Sequence, residues 1–239
     1  AEYTAESGVR GLKKKIGTLC RQAAVRLVRN EQKSVSVGEK KLKEFLGNPP
    51  LHHDKKLEAP VPGVMTGLAW TSTGGEVLFI ESRLIEGKED LLITGQLGDV
   101  MKESVQIALS LVKSMYPEEA KQLKDHKIHL HVPAGAVPKD GPSAGVTIVT
   151  ALVSLLTGKG VNTEYAMTGE ISLRGTVMPI GGLPEKLMAA QRAGITKVFI
   201  PAANMTDLEE VANEVKEKLE IVPVQEVTEL LHLVFSEAK

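Results

Sequence analysis

Apolar and polar positions follow two different periods along this chain of 239 residues. In residues 6–29, apolar side chains recur at helical spacing with Lys and Arg between them, which predicts an amphipathic helix. Residues 36–46 predict a shorter helix, anchored by Val37, Leu42 and Phe45. Gly and Pro then interrupt the periodicity. We therefore expect a small all-α segment, residues 1–58, that ends at a domain boundary near residues 50–60.

The second predicted domain, residues 59–239, combines both periods. Two segments of alternating apolar and polar residues, VMTGLAWTS and GEVLFIESRLI, flank the turn STGG and predict neighbouring strands. Strands and helices then alternate, which is typical of a mixed α/β domain. The remaining predicted strands are KIHLHV, Tyr165–Met167, Thr176–Ile180, KVFI and IVPV, and the predicted helices are Asp99–Tyr116 (with Val100, Val105, Ala108, Leu109 and Val112 on one side), Ser143–Thr157, Pro184–Ala193, Asp207–Leu219 and Val227–Phe235.

Composition narrows the class of protein. Hydrophobic residues make up 42% but aromatic residues only 3%, so the core has to be built mainly from aliphatic side chains. No apolar run reaches the roughly 18 to 20 residues that cross a bilayer. Cys20 is the one cysteine, which excludes an internal disulfide and a thiolate metal cluster. These features favour a cytoplasmic protein without a membrane partner.

Charge is unevenly distributed between the two predicted domains. Residues 1–58 hold 13 Lys and Arg against 7 Asp and Glu, a net charge of +6. The remainder holds 16 against 23, a net charge of −7. A basic segment of this kind is more often a solvated helix face, and contact with DNA is the alternative interpretation.

The stretch PKDGPSAG contains the first candidate for chemistry, Ser143. A predicted strand leads to this stretch and a predicted buried helix follows it, which sets the serine hydroxyl at a helix N-terminus. Free backbone N–H groups and a positive dipole gather there, as an oxyanion requires. The alternative is that Ser143 only caps the helix, since Ser is a preferred capping residue.

A serine nucleophile needs a base, and the sequence offers two kinds. His129 and His131 share one face of the preceding strand, and histidine is the usual partner of a catalytic serine. Lys186 lies on the apolar side of its predicted helix, with Leu187, Ala190 and Ala193. Burial there would favour its neutral form and make it a general base. The alternative is that the lysine extends to water.

Other common site patterns are missing from the sequence. It contains no GxxxxGK[ST] nucleotide loop and no HExxH. His52, His53 and Asp54 are adjacent residues that rarely converge on one ion, so we interpret them as part of a linker and predict no metal site.

Three motifs in order, PKDGPSAG, TGEISLRG and PIGGLPEKLMAA, closely resemble the proteolytic domain of the Lon proteases, in particular its soluble bacterial and organellar branch. The resemblance extends over GVMTGLAWTSTGGEVLFIE and GQLGDVMKESVQIAL. It implies a Ser143–Lys186 dyad, in which Thr168 positions the lysine amine. It also places Glu81, His129, His131 and Asp140 around the site. Pro184 departs from the pattern, because many relatives carry a charged residue there.

The segment YTAESGVRGLKKKIGTLCR similarly resembles the end of the small helical subdomain of AAA+ ATPases. The match implies that Arg10 is a sensor-2 arginine, which reaches the nucleotide in the assembled enzyme. The cofactors implied for the full-length enzyme are ATP and Mg²⁺. The fragment itself is expected to hold no cofactor.

Family resemblance further implies a fold similar to the ribosomal protein S5 domain 2-like α/β class, a homohexameric ring, and cleavage of unfolded or damaged proteins through an acyl-enzyme. Two other functions remain open: an assembly module or a DNA-binding module with little peptidase activity. A Ser–His–Asp hydrolase is the alternative enzyme.

Overall fold

The computed structural model describes residues 2–4, 6, 8–29, 33–50, 56–72, 74–88, 91–133 and 139–236. It divides the chain into two compact units, residues 1–53 with 71–74, and residues 54–70 with 75–239. The predicted linker residues His52, His53 and Asp54 lie outside the described residues.

The first unit contains α1 (Arg10–Val28) and, after a 3-10 turn over Glu39–Lys41, the short α2 (Leu42–Leu46). The first predicted helix therefore begins four residues later than expected. The Glu6 carboxylate explains this, because it accepts hydrogen bonds from the N–H groups of Gly11 (2.7 Å) and Leu12 (2.8 Å) and so occupies the helix start. No residue of α1 is buried within this unit, whereas Phe45 of α2 is.

The second unit is a mixed α/β structure around a seven-stranded sheet. Its strands are β1 (Val64–Thr71), β2 (Gly74–Glu86), β3 (Leu91–Thr94), β4 (His126–His131), β5 (Tyr165–Met167), β8 (Lys197–Pro201) and β9 (Glu220–Val224). Two further short strands, β6 (Glu170–Ile171) and β7 (Val177–Met178), form a separate antiparallel ribbon. The sheet order is β3-β4-β2-β1-β5-β8-β9. The pairs β3–β4, β1–β5, β5–β8 and β8–β9 are parallel, and β2–β4 is antiparallel.

Two hydrophobic cores lie on the two faces of this sheet, because successive strand residues point to opposite sides. Met167 and Phe199 face one core, and their neighbours Ala166 and Val198 face the other. The first core is closed by α3 (Asp99–Met115), α4 (Gly145–Thr157) and α7 (Val227–Ser236). The second is closed by α5 (Leu183–Ala193) and α6 (Asn213–Lys216). The prediction of a buried central helix is confirmed in α4, where nearly every residue is buried.

The structure corrects several predicted elements. Asp207–Leu219 is not one helix: a 3-10 stretch, Ala202–Glu210, is separated from α6 by Val211 and Ala212, whose backbones are extended (ψ 130° and 140°). Burial of the β-branched Val211 in the second core accounts for the break. Val100 was predicted on the buried side of α3 but is 46% exposed. The predicted strand Thr176–Ile180 shortens to β7, and β3 and β6 were not predicted.

None of the described helices combines the length and the apolar character needed to cross a membrane.

Candidate active site

Ser143 lies in a tight turn that leads directly into the buried helix α4. It is the middle residue of a 3-10 turn, Pro142–Ala144, and its side chain is half-buried. Gly141 precedes this turn with φ 127° and ψ 155°, a conformation that only glycine adopts without strain. The capping position of α4 is Ala144, and the 3-10 turn has Gly141 there. The alternative interpretation of Ser143 as a helix cap is therefore wrong.

Lys186 lies in the first turn of α5 with its side chain inside the protein. Only 2% of the residue is exposed, and the Lys186 N–H donates to the carbonyl oxygen of Gly182 (3.1 Å). Leu187, Ala190 and Ala193 are buried on the same side of the helix, as predicted. The alternative in which the lysine extends to water is wrong, because its amine lies in the apolar interior.

Thr168 connects the lysine to the serine turn. The Lys186 amine donates a hydrogen bond to Thr168 Oγ1 (3.1 Å), and Thr168 Oγ1 donates to the carbonyl oxygen of Ser143 (3.3 Å). The same carbonyl also accepts from the N–H of Gly169 (2.8 Å). Within the described residues, no hydrogen bond joins the Ser143 hydroxyl directly to the Lys186 amine. Thr168, at the carboxyl end of β5, is thus the common hydrogen-bond partner of the serine turn and the lysine.

Close backbone packing holds these segments together and explains the small residues of the motifs. A Cβ atom on Gly145 would lie 2.8 Å from the Ile171 side chain, and one on Gly169 would lie 3.0 Å from Val146. A Cβ atom on Gly75 would lie 1.9 Å from the carbonyl oxygen of Glu185, inside the first turn of α5. Gly75 has to be glycine because a side chain there would meet the backbone of α5, and at Gly145 and Gly169 a side chain would displace the neighbouring Ile171 and Val146 side chains.

Burial controls the protonation of the lysine. It lowers the pKa of Lys186 from an ordinary value of 10.5 to about 8, since the charged amine is removed from water. Its hydrogen-bond partner is a neutral hydroxyl, and no ion pair to a carboxylate is formed in the described part of the chain. An amine in this setting has a substantial neutral fraction near pH 8 and can accept a proton.

Asp140 anchors the segment that precedes the serine. Its Oδ1 accepts hydrogen bonds from the N–H groups of Met101 (2.9 Å) and Gly141 (2.9 Å). Met101 lies in the first turn of α3, where N–H groups lack helical partners and a carboxylate is favoured. Lys139 adds backbone hydrogen bonds to Gln96 and Gly98. Asp140 therefore ties the serine turn to α3.

The two histidines and Glu81 form a separate row across three strands. His131 lies opposite Glu81 on β2 and opposite Thr94 on β3. Thr94 Oγ1 is hydrogen-bonded to both His129 Nε2 (2.9 Å) and His131 Nδ1 (2.7 Å). In the described structure neither ring is hydrogen-bonded to Ser143. The hydrogen bonds of the Ser143 carbonyl oxygen lead through Thr168 to Lys186 instead.

The remaining predicted residue, Arg10, is the first residue of α1 and is exposed. It belongs to the first unit, whereas the serine and the lysine belong to the second. Among the described residues, no three His, Cys, Asp or Glu side chains are grouped so as to hold a metal ion.

An open cavity of about 430 Å³ lies beside the start of β7, at the carboxyl ends of β8 and β9. None of the predicted site residues lines it; its walls are Thr176, Val177, Ala202, Ala203, Gln225 and Glu226.

Sequence reasoning missed two residues that organise this region. Thr94 holds both histidines, but it ends a strand that was not predicted. Asn204 is 3% exposed and hydrogen-bonded to the loop before α5, yet it lies in a segment with no regular period. Neither residue carries a local signal in the sequence, because each acts through contacts with segments that are distant along the chain.

The chain matches two protein-family models and several known proteins. The family model of the Lon protease (S16) C-terminal proteolytic domain matches residues 36–237, and that of the Lon protease AAA+ ATPase lid domain matches residues 1–35. The chain is 56% identical to the Lon protease of Clostridium beijerinckii over 232 residues, covering 97% of the chain and 29% of that protein. It is 50% identical to the Lon protease of Methanosphaera stadtmanae over 234 residues, covering 97% and 28%. The chain thus spans less than a third of the length of these relatives.

Proposed function

Because the chain belongs to the Lon protease family, we propose that it is the peptidase part of an ATP-dependent serine endopeptidase with a Ser143–Lys186 dyad. One observation carries the proposal: a buried lysine, with no carboxylate partner among the described residues, is hydrogen-bonded to Thr168, which is hydrogen-bonded to the backbone of Ser143. A buried lysine of lowered pKa serves better as a base than as a structural cation.

The first half of the reaction forms an acyl-enzyme. Neutral Lys186 takes the proton from the Ser143 hydroxyl as Oγ attacks the carbonyl carbon of the scissile peptide bond. Backbone N–H groups around Ser143, at the positive end of α4, hold the oxyanion, and one such donor is worth about 3–4 kcal/mol in other serine proteases. The carbon–nitrogen bond then breaks, and the Lys186 ammonium gives its proton to the leaving amine.

The second half returns the enzyme to its starting state. Water attacks the ester carbonyl while Lys186, neutral again, takes the proton of that water. The carbon–oxygen bond to Ser143 breaks, and the proton passes from Lys186 to Oγ. Thr168 keeps the amine aimed at the serine turn through both halves, and Asp140 keeps the turn on α3.

Substitution of the nucleophile tests this function. We expect Ser143→Ala to abolish hydrolysis of an unfolded protein or a fluorogenic peptide and to abolish labelling by serine-reactive electrophiles. Ser110→Ala removes an exposed hydroxyl on α3 that donates to the Gln106 carbonyl oxygen of the same helix, and should retain activity. Peptide turnover by Ser143→Ala at the rate of the Ser110→Ala control would refute the assignment.

The finer features of the whole enzyme belong to the same proposal. Support for ATP dependence comes from the lid-domain match. One exposed arginine, Arg10, cannot by itself hold Mg²⁺–ATP, so the nucleotide would be bound mainly by residues outside this chain. A ribosomal protein S5 domain 2-like fold, a cytoplasmic homohexamer and unfolded or damaged protein substrates complete the proposal. DNA contact through residues 1–58 stays a prediction, tested by salt-dependent binding that is lost when they are deleted.

A further inference from the structure

The side chain of Asn204 binds both backbone groups of one residue in the loop before α5. Its Oδ1 accepts a hydrogen bond from the Ile180 N–H (3.0 Å), and its Nδ2 donates to the Ile180 carbonyl oxygen (2.8 Å). The same Nδ2 donates to Asp207 Oδ2 (2.6 Å). Asn204 is 3% exposed. Burial of an amide with its donor and acceptor both satisfied makes this a rigid contact.

Ile180 lies in the short connection that sets where α5 begins. The connection leaves β7 at Met178 and reaches Gly182, which takes the left-handed conformation (φ 69°) before the helix. Lys186 follows in the first turn of α5, bonded through its N–H to Gly182. A displacement of Ile180 is therefore transmitted over few bonds to the base of the lysine side chain.

Only the amide of asparagine fits this arrangement among side chains of its shape. A carboxylate would keep one acceptor for the Ile180 N–H, but it would place negative charge against the Ile180 carbonyl oxygen and against Asp207. The two contacts that Nδ2 makes in the wild type would become repulsive when an oxygen takes its place. The pairing of Asn204 with the Ile180 backbone is thus specific to its donor as well as its acceptor.

We propose that Asn204 is a positioning residue for catalysis, which fixes the Ile180 backbone and so holds the Lys186 amine at Thr168. The inference rests on the proposed dyad. It does not require Asn204 to touch the substrate. A small misplacement of a catalytic group costs rate far more than substrate binding, so the effect should appear in kcat and not in KM.

The test compares Asn204→Ala and Asn204→Asp with the wild type and with Asn162→Ala. Asn162 is exposed, and its side chain accepts a single local hydrogen bond from the Glu164 N–H (3.0 Å) at the opposite, amino-terminal end of β5. Peptide hydrolysis is normalised to sites titrated with a serine-reactive probe, so that misfolded molecules do not count. We expect kcat of Asn204→Ala to fall roughly tenfold or more with KM little changed. The Asn162→Ala control should keep the wild-type kcat.

A double variant that exchanges the amide and the carboxylate distinguishes a loss of positioning from a loss of folding. Asn204→Asp combined with Asp207→Asn restores one attractive hydrogen bond between the two side chains and leaves the acceptor for the Ile180 N–H. The double variant should recover part of the kcat lost in Asn204→Asp, and this comparison holds even if Asn204→Ala fails to fold. The pH at which the rate reaches its plateau should move in Asn204→Asp and move part of the way back in the double variant.

The outcomes distinguish this inference from the dyad itself. If Ser143→Ala and Lys186→Met abolish turnover while Asn204→Ala keeps the wild-type kcat per titrated site, positioning by Asn204 is refuted and the dyad stands. Equal kcat in Asn204→Asp and the double variant would also overturn it. Turnover that survives Lys186→Met would refute the dyad, whatever Asn204 does.

Discussion

Replacing Lys186 by methionine should make the folded protein more stable at neutral pH. Methionine is apolar and similar in length, so it can occupy the buried space of the lysine side chain without the cost of burying a charge. Thr168 Oγ1 keeps a partner in the variant, because it still donates to the Ser143 carbonyl oxygen. The expected direction is unusual, since most substitutions of buried residues destabilise.

The pKa of the lysine sets the size of the effect. Burial lowers it from 10.5 to about 8, and a difference of roughly 2.5 at about 1.36 kcal/mol per unit amounts to about 3 kcal/mol. At pH 7 the amine is protonated in both states, so the folded protein carries this whole cost. Between pH 8 and 10.5 the unfolded chain binds more protons than the folded one, so stability rises with pH. The cost falls to about 1.4 kcal/mol at pH 9.5.

Urea denaturation followed through Trp70, the single tryptophan, measures this difference. Allowing about 1 kcal/mol for the lost hydrogen bond to Thr168, Lys186→Met should be about 2 kcal/mol more stable than wild type at pH 7. The advantage should fall to about 0.4 kcal/mol at pH 9.5. Lys218→Met, at an exposed position, should change stability by less than about 0.5 kcal/mol at both pH values. If Lys186→Met were less stable than wild type at pH 7, or if the difference in stability did not depend on pH, burial of the Lys186 charge would not carry the expected cost.

Four further predictions concern activity and stability. The kcat/KM for a peptide should rise with pH and level off above an apparent pKa of about 8, where Lys186 loses its proton; a rate that is flat from pH 6 to pH 9 would contradict this. Thr168→Val removes the acceptor for the amine and should lower turnover roughly tenfold, while Thr168→Ser should restore it; equal rates in the two variants would count against the contact. Asp140→Ala should lower the free energy of unfolding in urea by about 1 kcal/mol, because the hydrogen bond to the start of α3 is lost. Asp140→Asn keeps the accepting oxygen and should retain most activity. An Asp140→Asn enzyme as inactive as Ser143→Ala would show that Asp140 takes part directly in the reaction. His129→Ala and His131→Ala should each keep substantial turnover, and a loss as complete as in Lys186→Met would favour the Ser–His–Asp alternative.

Local periodicity predicted those elements whose own sequence decides their structure. The apolar sequence of α4 requires burial on all sides, and the apolar side of α5 places Lys186 inside; both follow from residue spacing. The same reasoning failed over Asp207–Leu219, because burial of Val211 in the second core overrides a helical pattern. It also missed β3, a strand of four residues whose pairing with β4 is a long-range contact.

The candidate site was predictable only in part for a similar reason. Ser143 and Lys186 each follow from a local setting, a turn before a buried helix and an apolar helix face. Their connection through Thr168 depends on three segments that are far apart in sequence, so spacing alone left the base undecided between lysine and histidine. Asn204 has no local signal at all, because its role arises from hydrogen bonds to a residue 24 positions away.

Labelling of Ser143 by a serine-reactive phosphonate probe, measured as a rate across pH, shows whether Lys186 activates Ser143. We expect a wild-type rate that rises with pH and levels off above about pH 8, no labelling of Ser143→Ala, and a rate for Lys186→Met that is lower by roughly 10²-fold or more with no such rise. Labelling of Lys186→Met at the wild-type rate and with the wild-type pH dependence would contradict activation by Lys186.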